Sequence, residues 1–300
     1  MAYGRYSKYR ARRTARRPSR RYRRSTTTFR KTRSRYRRKT PLMSRKRILN
    51  ATSTKKQDTM LPTVATTSGG SPAAGGLTMP GNTTTICIWS PSARTRNVIA
   101  DSNASWNRSS DTCFIRGLKE TVQLRNVSNN TGGNYSNAWQ WRRIVFTVKG
   151  LWQQHSGTVD SLFTSNGYVR LLSNFNSTVI GNAVTSTLFK GVFGSDWSNV
   201  MTAPADKTRV NILYDRTRQL VPQSEAKRIW QYKLWHPVNK NLVYNNEENG
   251  GTGETVSVRS TLSKQGCGDI YVVDFFECVT QDAADTLLFN PEATFYWHEK

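Results

Sequence analysis

From about residue 83 to residue 300 apolar and polar residues alternate instead of recurring at helical spacing. Ile86 and Ile88 open the series, and Cys113–Leu118 is a short apolar run. In Glu120–Arg125, Val122 and Leu124 share one face while Thr121, Gln123 and Arg125 share the other. Arg143–Lys149 sets Ile144, Phe146 and Val148 against Arg143, Thr147 and Lys149. Arg209–Tyr214 offers Val210, Ile212 and Tyr214, and Lys227–His236 alternates Trp230, Tyr232 and Leu234 with Gln231 and Lys233. Glu254–Leu262 places Val256 and Val258 opposite Thr255, Ser257 and Arg259. Asp269–Val279 is apolar on both faces and reads as a central strand covered on both sides; Ala293–Trp297 closes the series. A period of two on β-branched and aromatic residues is the pattern of half-buried strands.

Turn residues separate these runs, among them Thr131-Gly-Gly-Asn134, Asn166-Gly167 and the Gly-rich Asn245–Gly253. Helical spacing is weak and confined to Val159–Thr164 or Ala183–Lys190. The expectation is all-β: a single jelly-roll, an eight-stranded antiparallel sandwich, over residues 83–300. Residues 57–82 are rich in Pro, Gly, Ser and Thr without periodicity, which predicts a flexible linker.

Charge divides the chain more sharply than hydropathy does. Residues 1–56 hold 23 of the 45 Lys and Arg and no Asp or Glu, leaving 22 basic and 19 acidic residues for 57–300, a net of +3. Such a segment repels itself and has too few apolar residues to pack, so 1–56 reads as a disordered arm. Its cations are mostly Arg, whose planar fork suits phosphate. The candidate nucleic-acid contacts are Arg5, Arg10, Arg12, Arg13, Arg16, Arg17, Arg20, Arg21, Arg23, Arg24, Arg30, Arg33, Arg35, Arg37, Arg38, Lys39, Arg45, Lys46 and Arg47, with Tyr22 and Tyr36 among the aromatics threaded between them. Arg on phosphates with rings between is how proteins grip unpaired strands. A mitochondrial transit peptide would need regular apolar positions, which are missing before Leu42, and no amphipathic face suits a lipid surface. No apolar run is long enough for a membrane span, so a soluble chain is expected.

Enzyme chemistry finds little support. Cys87, Cys113, Cys267 and Cys278 form no CxxC pair; those in strand patterns read as small buried hydrophobes. His155, His236 and His298 are scattered beside aromatics, and carboxylates are sparse. No nucleophile elbow, zinc motif or phosphate loop appears, so no catalytic residue, metal or cofactor is expected. Nine Trp are many for such a body; Trp139, Trp141, Trp230 and Trp235 are candidates for subunit contacts or for the core.

Arg/Tyr-rich arm, linker and β body form a plan that resembles the coat proteins of small icosahedral viruses with circular single-stranded DNA. The opening Met1-Ala-Tyr-Gly-Arg-Tyr-Ser-Lys-Tyr-Arg10 is similar to capsid proteins of the genomoviruses (gemycircularviruses), relatives of the geminiviruses. So are Phe189–Trp197, Val210–Thr217 and Tyr296–Lys300. The resemblance implies self-assembly into a shell of about 60 copies, an arm that packages the single-stranded DNA genome, and use of the same basic clusters by the host nuclear import machinery. Virion and host nucleus are the locations it implies. About 60 arms would bring on the order of 1,400 positive charges to the packaged phosphates. The other class left open is a non-viral, basic-tailed nucleic-acid-binding protein of ribosomal or chromatin type, which would stay a monomer or small oligomer.

Overall fold

The structure, a computed structural model, describes residues 43–300 apart from 100, 102, 128–136, 223–227 and 252. Eight strands carry the fold: β1 (Thr54–Met60), β2 (Thr85–Trp89), β3 (Thr112–Asn126), β4 (Trp139–Val148), β5 (Asn211–Leu220), β6 (Ile229–Val243), β7 (Asp269–Cys278) and β8 (Thr286–Glu299). They form two sheets, in the orders β1-β8-β3-β6 and β2-β7-β4-β5. First pairs with last, second with seventh, third with sixth and fourth with fifth, every pair antiparallel. That nesting of hairpins is the jelly-roll, and the all-β sandwich read from the alternation is the observed fold.

Between the sheets, Trp141 stacks on Phe276 with ring centroids 6.1 Å apart, and Phe289 meets Phe276 at 4.9 Å, tilted by 54°. The outer face of the second sheet is covered as well. The segment between β4 and β5 folds back over it, carrying helix α2 (Val179–Leu188), whose Ile180, Gly181, Val184 and Leu188 are buried. Phe189 at the end of α2 meets Phe275 of β7 at 5.6 Å. Thr178 caps α2 by accepting the amide of Gly181. Gly181 passes so close to the Phe175 carbonyl that a Cβ would lie 2.1 Å from it. The Val- and Thr-rich sequence of α2 has poor intrinsic helicity, so packing on the sheet holds it helical. This explains why only its second half showed as a weak helical pattern. A small sheet of Ala73–Ala74, Pro62–Val64, Gly167–Leu172 and Leu162–Thr164 brings Val64 and Leu172 alongside the strands of the sandwich.

Two expectations are corrected. The arm does not extend to residue 56 and residues 57–82 are not a flexible linker. Residues 45–52 form helix α1 (Arg45–Thr52), and β1 begins at Thr54 and pairs along β8 from Glu299 to Ala293. Pro62–Val64 and Leu77–Pro80 are also strands, and Met60 and Met79 are core residues. The reading failed because the inward positions of β1 are Lys56, Asp58 and Met60, which give no aliphatic alternation. Lys56 is buried on a pre-arranged set of acceptors: Glu299 Oε2 at 3.1 Å, the Asn107 carbonyl at 2.7 Å and Ser109 Oγ at 3.0 Å. Burial alone would raise the Glu299 carboxyl. Hydrogen bonds from Ser109, Trp297 and Lys56 hold it below its ordinary value. Lys56→Met is expected to destabilise the body by about 2 kcal/mol, because a charged, hydrogen-bonded carboxylate loses its cation; a urea midpoint within error of wild type would reject that role. The second correction is Glu254–Leu262: only Gly253–Thr255 is strand, paired in a hairpin with Glu247–Asn249, and Val256 and Val258 are exposed.

Candidate nucleic-acid interface

Most of the expected phosphate contacts, Arg5 to Lys39 with Tyr22 and Tyr36, lie outside the described residues. Arg45, Lys46 and Arg47 fall on α1, with Arg45 and Arg47 exposed. Eight residues make a helix about 12 Å long, so these cations lie close to the start of β1. The Ser53 amide bonds the Leu49 carbonyl at 3.1 Å as the helix ends, and Lys55 Nζ donates to the Asn50 carbonyl at 3.1 Å. A cation on the last carbonyls of a helix is favoured by their partial negative charge.

Beyond Lys55 runs the outer face of the β1-β8-β3-β6 sheet. The cations on this face are Lys55 of β1, Arg116, Lys119 and Arg125 of β3, and Lys233 of β6, and its one carboxylate is Glu292 of β8, all exposed. Alternation puts them there: Glu120, Val122 and Leu124 point inward between Lys119, Thr121, Gln123 and Arg125. Lys119, Arg125 and Lys233 make no ion pair among the described residues. With Lys55 set aside, four cations and one acid equal the whole +3 surplus of residues 57–300. The bare sheet face is therefore basic, while the rest of residues 57–300 balances to zero.

Local strand chemistry shapes a depression on this face. β3 bulges at Arg116: Tyr296 pairs with Gly117 and Trp297 with Ile115, leaving Arg116 unpaired between them. A bulge of this kind re-aims the extra side chain. Arg116 Nη1 donates to Asn239 Oδ1 at 2.6 Å, and Asn239 has a left-handed backbone with φ of 50°. Gly117, next along, is the floor. A Cβ there would sit 2.5 Å from the His236 carbonyl and 2.9 Å from Trp235 Cζ2. Its absence lets the Trp235 indole lie over β3 toward Tyr296, the two rings 5.8 Å apart and inclined by 63°. Trp235 stays 48% exposed, whereas Trp139, Trp141 and Trp230 are buried in the core. Of the four Trp considered for subunit contacts, three are thus core residues. His298 completes the wall; burial, Arg116 and Lys55 together lower its pKa.

Several buried polar groups elsewhere are committed to structure. Glu120, Arg143, Arg170 and Asp274 close an ion-pair ring between the sheets, each with a side chain no more than 1% exposed. Burial raises the thiols of Cys113 and Cys267 as it does Cys87, which is pushed up to about 12, and the four cysteines are unpaired. Asp196 and Asp206 accept amides of their own loops, from Val192 and Thr208. No group of three or more potential metal ligands occurs among the described residues, and no helix there is long and apolar enough to cross a membrane.

Sequence reasoning placed Arg125 and Lys233 on polar strand faces but did not connect them, and passed over Arg116 and Lys119. The available signal was the Lys/Arg identity of outward positions on two strands that turn out to be neighbours. No protein-family model matches this chain, and a search of curated proteins finds no match either.

Proposed function

We propose that this chain is the capsid protein of a small virus with a single-stranded DNA genome, assembling into an icosahedral shell with the basic arm and the bare sheet face turned toward packaged DNA. One observation carries the reading: the only large sheet face left uncovered among the described residues holds the body's positive surplus and adjoins the basic helix that leads into β1. The face offers phosphate contacts to a polyanion, and such contacts supply affinity without sequence specificity. The balanced remainder of the body suits close packing of identical copies, which a uniformly positive body would oppose. The jelly-roll is compatible with shells, lectins and cupins alike, so the support for a shell comes from the arm and the charge pattern. Import into the host nucleus through the arm's basic clusters belongs to the same proposal.

The test is electron microscopy of the purified full-length chain, with nuclease digestion of whatever it contains. Uniform closed particles protecting single-stranded DNA are expected. A dispersed monomer that binds oligonucleotides but never assembles, across salt and pH, would reject the shell and favour a basic-tailed binding factor. The sheet face has its own prediction. The triple change Arg116→Gln, Lys119→Gln, Lys233→Gln should reduce the slope of log K against log salt for a single strand by about two, from the roughly 0.7 counterions released per phosphate contact. An unchanged slope would show that the face makes no phosphate contacts.

A further inference from the structure

We propose that the depression walled by Trp235, Tyr296, Arg116, His298 and Lys55 is a stacking slot for one unpaired nucleotide, so that the folded body, as well as the arm, holds the strand by a base. The inference rests on the packaging reading and specifies how the strand is gripped. The depression measures about 320 Å³, within the range of small-ligand sites. It is built rather than incidental. Gly117 removes the side chain that would displace the indole, the bulge at Arg116 aims a guanidinium at the same place, and Asn239 holds that guanidinium at 2.6 Å. Tyr296 meets Trp235 at an incline, so neither ring covers the other's face. An exposed indole on a polar face is unfavourable in water unless something covers it.

The surrounding charge selects what covers it. Arg116 and Lys55 stand at the slot with no carboxylate among its lining residues. An apolar peptide would meet cations it cannot satisfy. A nucleotide offers a π-face for the indole and a phosphate for the cations. In duplex DNA the base faces are already stacked, so the slot recognises the unpaired state.

The experiment uses the full-length chain, a fluorescent dT oligonucleotide and an abasic strand of the same length, with affinities read over a series of salt concentrations. Stacking by one ring contributes roughly tenfold in affinity. Trp235→Leu is therefore expected to weaken dT binding about tenfold while leaving abasic binding and the salt slope unchanged. Trp235→Phe, which keeps an aromatic face, should restore most of the loss. With 5-iododeoxyuridine in the strand, ultraviolet light should attach it to peptides holding Trp235 or Tyr296 in the wild-type chain, a readout that needs no variant to fold. Equal dT affinity in wild type and Trp235→Leu, with adducts elsewhere, would overturn the slot and leave packaging by the arm standing. Failure of the wild-type chain to bind dT at all would overturn both.

Discussion

Asp274→Asn should destabilise the folded body by about 4 kcal/mol, the loss expected when one member of a buried ion pair is removed and its partners stay charged. Asp274 of β7 takes Arg143 Nε at 2.6 Å and Nη2 at 2.9 Å, Arg170 Nη2 at 2.9 Å and the Trp141 indole N–H at 2.8 Å. Glu120 of β3 closes the ring, accepting Arg143 Nη1 at 2.6 Å and Arg170 Nε at 3.0 Å. Burial would push the Asp274 carboxyl up, but Arg143 and Arg170 hold it below its ordinary value. Asparagine keeps the shape and removes the charge, leaving two buried guanidinium groups to share Glu120. For a body of this size the loss corresponds to a drop in Tm on the order of 10 °C. The measurement is the urea midpoint of subunits under non-assembling conditions. A loss under 1 kcal/mol would mean that water or rearrangement supplies the missing charge. Replacing all four ring members by apolar residues of similar volume should be far less damaging, since the desolvation of four charges disappears with the attraction. The ring ties three parts of the fold together: β3 in one sheet, β4 and β7 in the other, and Gly167–Leu172 beside them.

That ring marks where the sequence stopped being readable. Strand existence was legible because Val122 and Leu124, or Trp230, Tyr232 and Leu234, alternate with polar neighbours in strands that have one wet face. Asp269–Val279 was legible as a central strand because apolar residues on both faces need cover on both sides, and α2 and β8 supply it. Arg143 was read as outward-facing, since an arginine in a strand usually marks the solvent side. It points inward because Glu120 and Asp274 lie opposite it, 23 and 131 residues away in the chain. Pairings at such distances leave no trace in local periodicity. β1 was missed for the same reason, its buried lysine matched to a glutamate at the far end of the sequence. The basic face was half legible. Its outward positions could be read strand by strand, but that β3 and β6 are neighbours, bringing Arg116, Lys119 and Lys233 onto one surface, follows only from the jelly-roll pairing.

His236 should make the body acid-labile by roughly 3 kcal/mol between pH 6.5 and pH 4. The imidazole is 1% exposed, neither ring nitrogen has a partner among the described residues, and its edge meets the Tyr214 ring at 4.7 Å. Facing it are Glu120 of β3, Arg143 of β4, Asp274 of β7 and Arg170. Burial first, then Arg143, lower its pKa to about 4. Folding therefore favours the neutral ring. That contribution is complete above the unfolded pKa of 6.5 and disappears as pH falls through 4. Asp269 works in the opposite sense. Burial raises its pKa to about 6 against hydrogen bonds from Ser260, so its contribution grows as pH falls through 6. The two effects oppose each other over overlapping pH, so the wild-type stability curve alone does not isolate the imidazole. The difference between wild type and His236→Phe isolates the imidazole. The phenyl ring keeps the contact with Tyr214 and has no proton to gain, so the variant should gain on wild type by roughly 3 kcal/mol as pH drops from 7 to 4. Asp269→Asn, which removes the opposing group, should uncover the acid limb in an otherwise wild-type chain. Parallel curves for wild type and His236→Phe across this range would show that the imidazole titrates normally and that water reaches it.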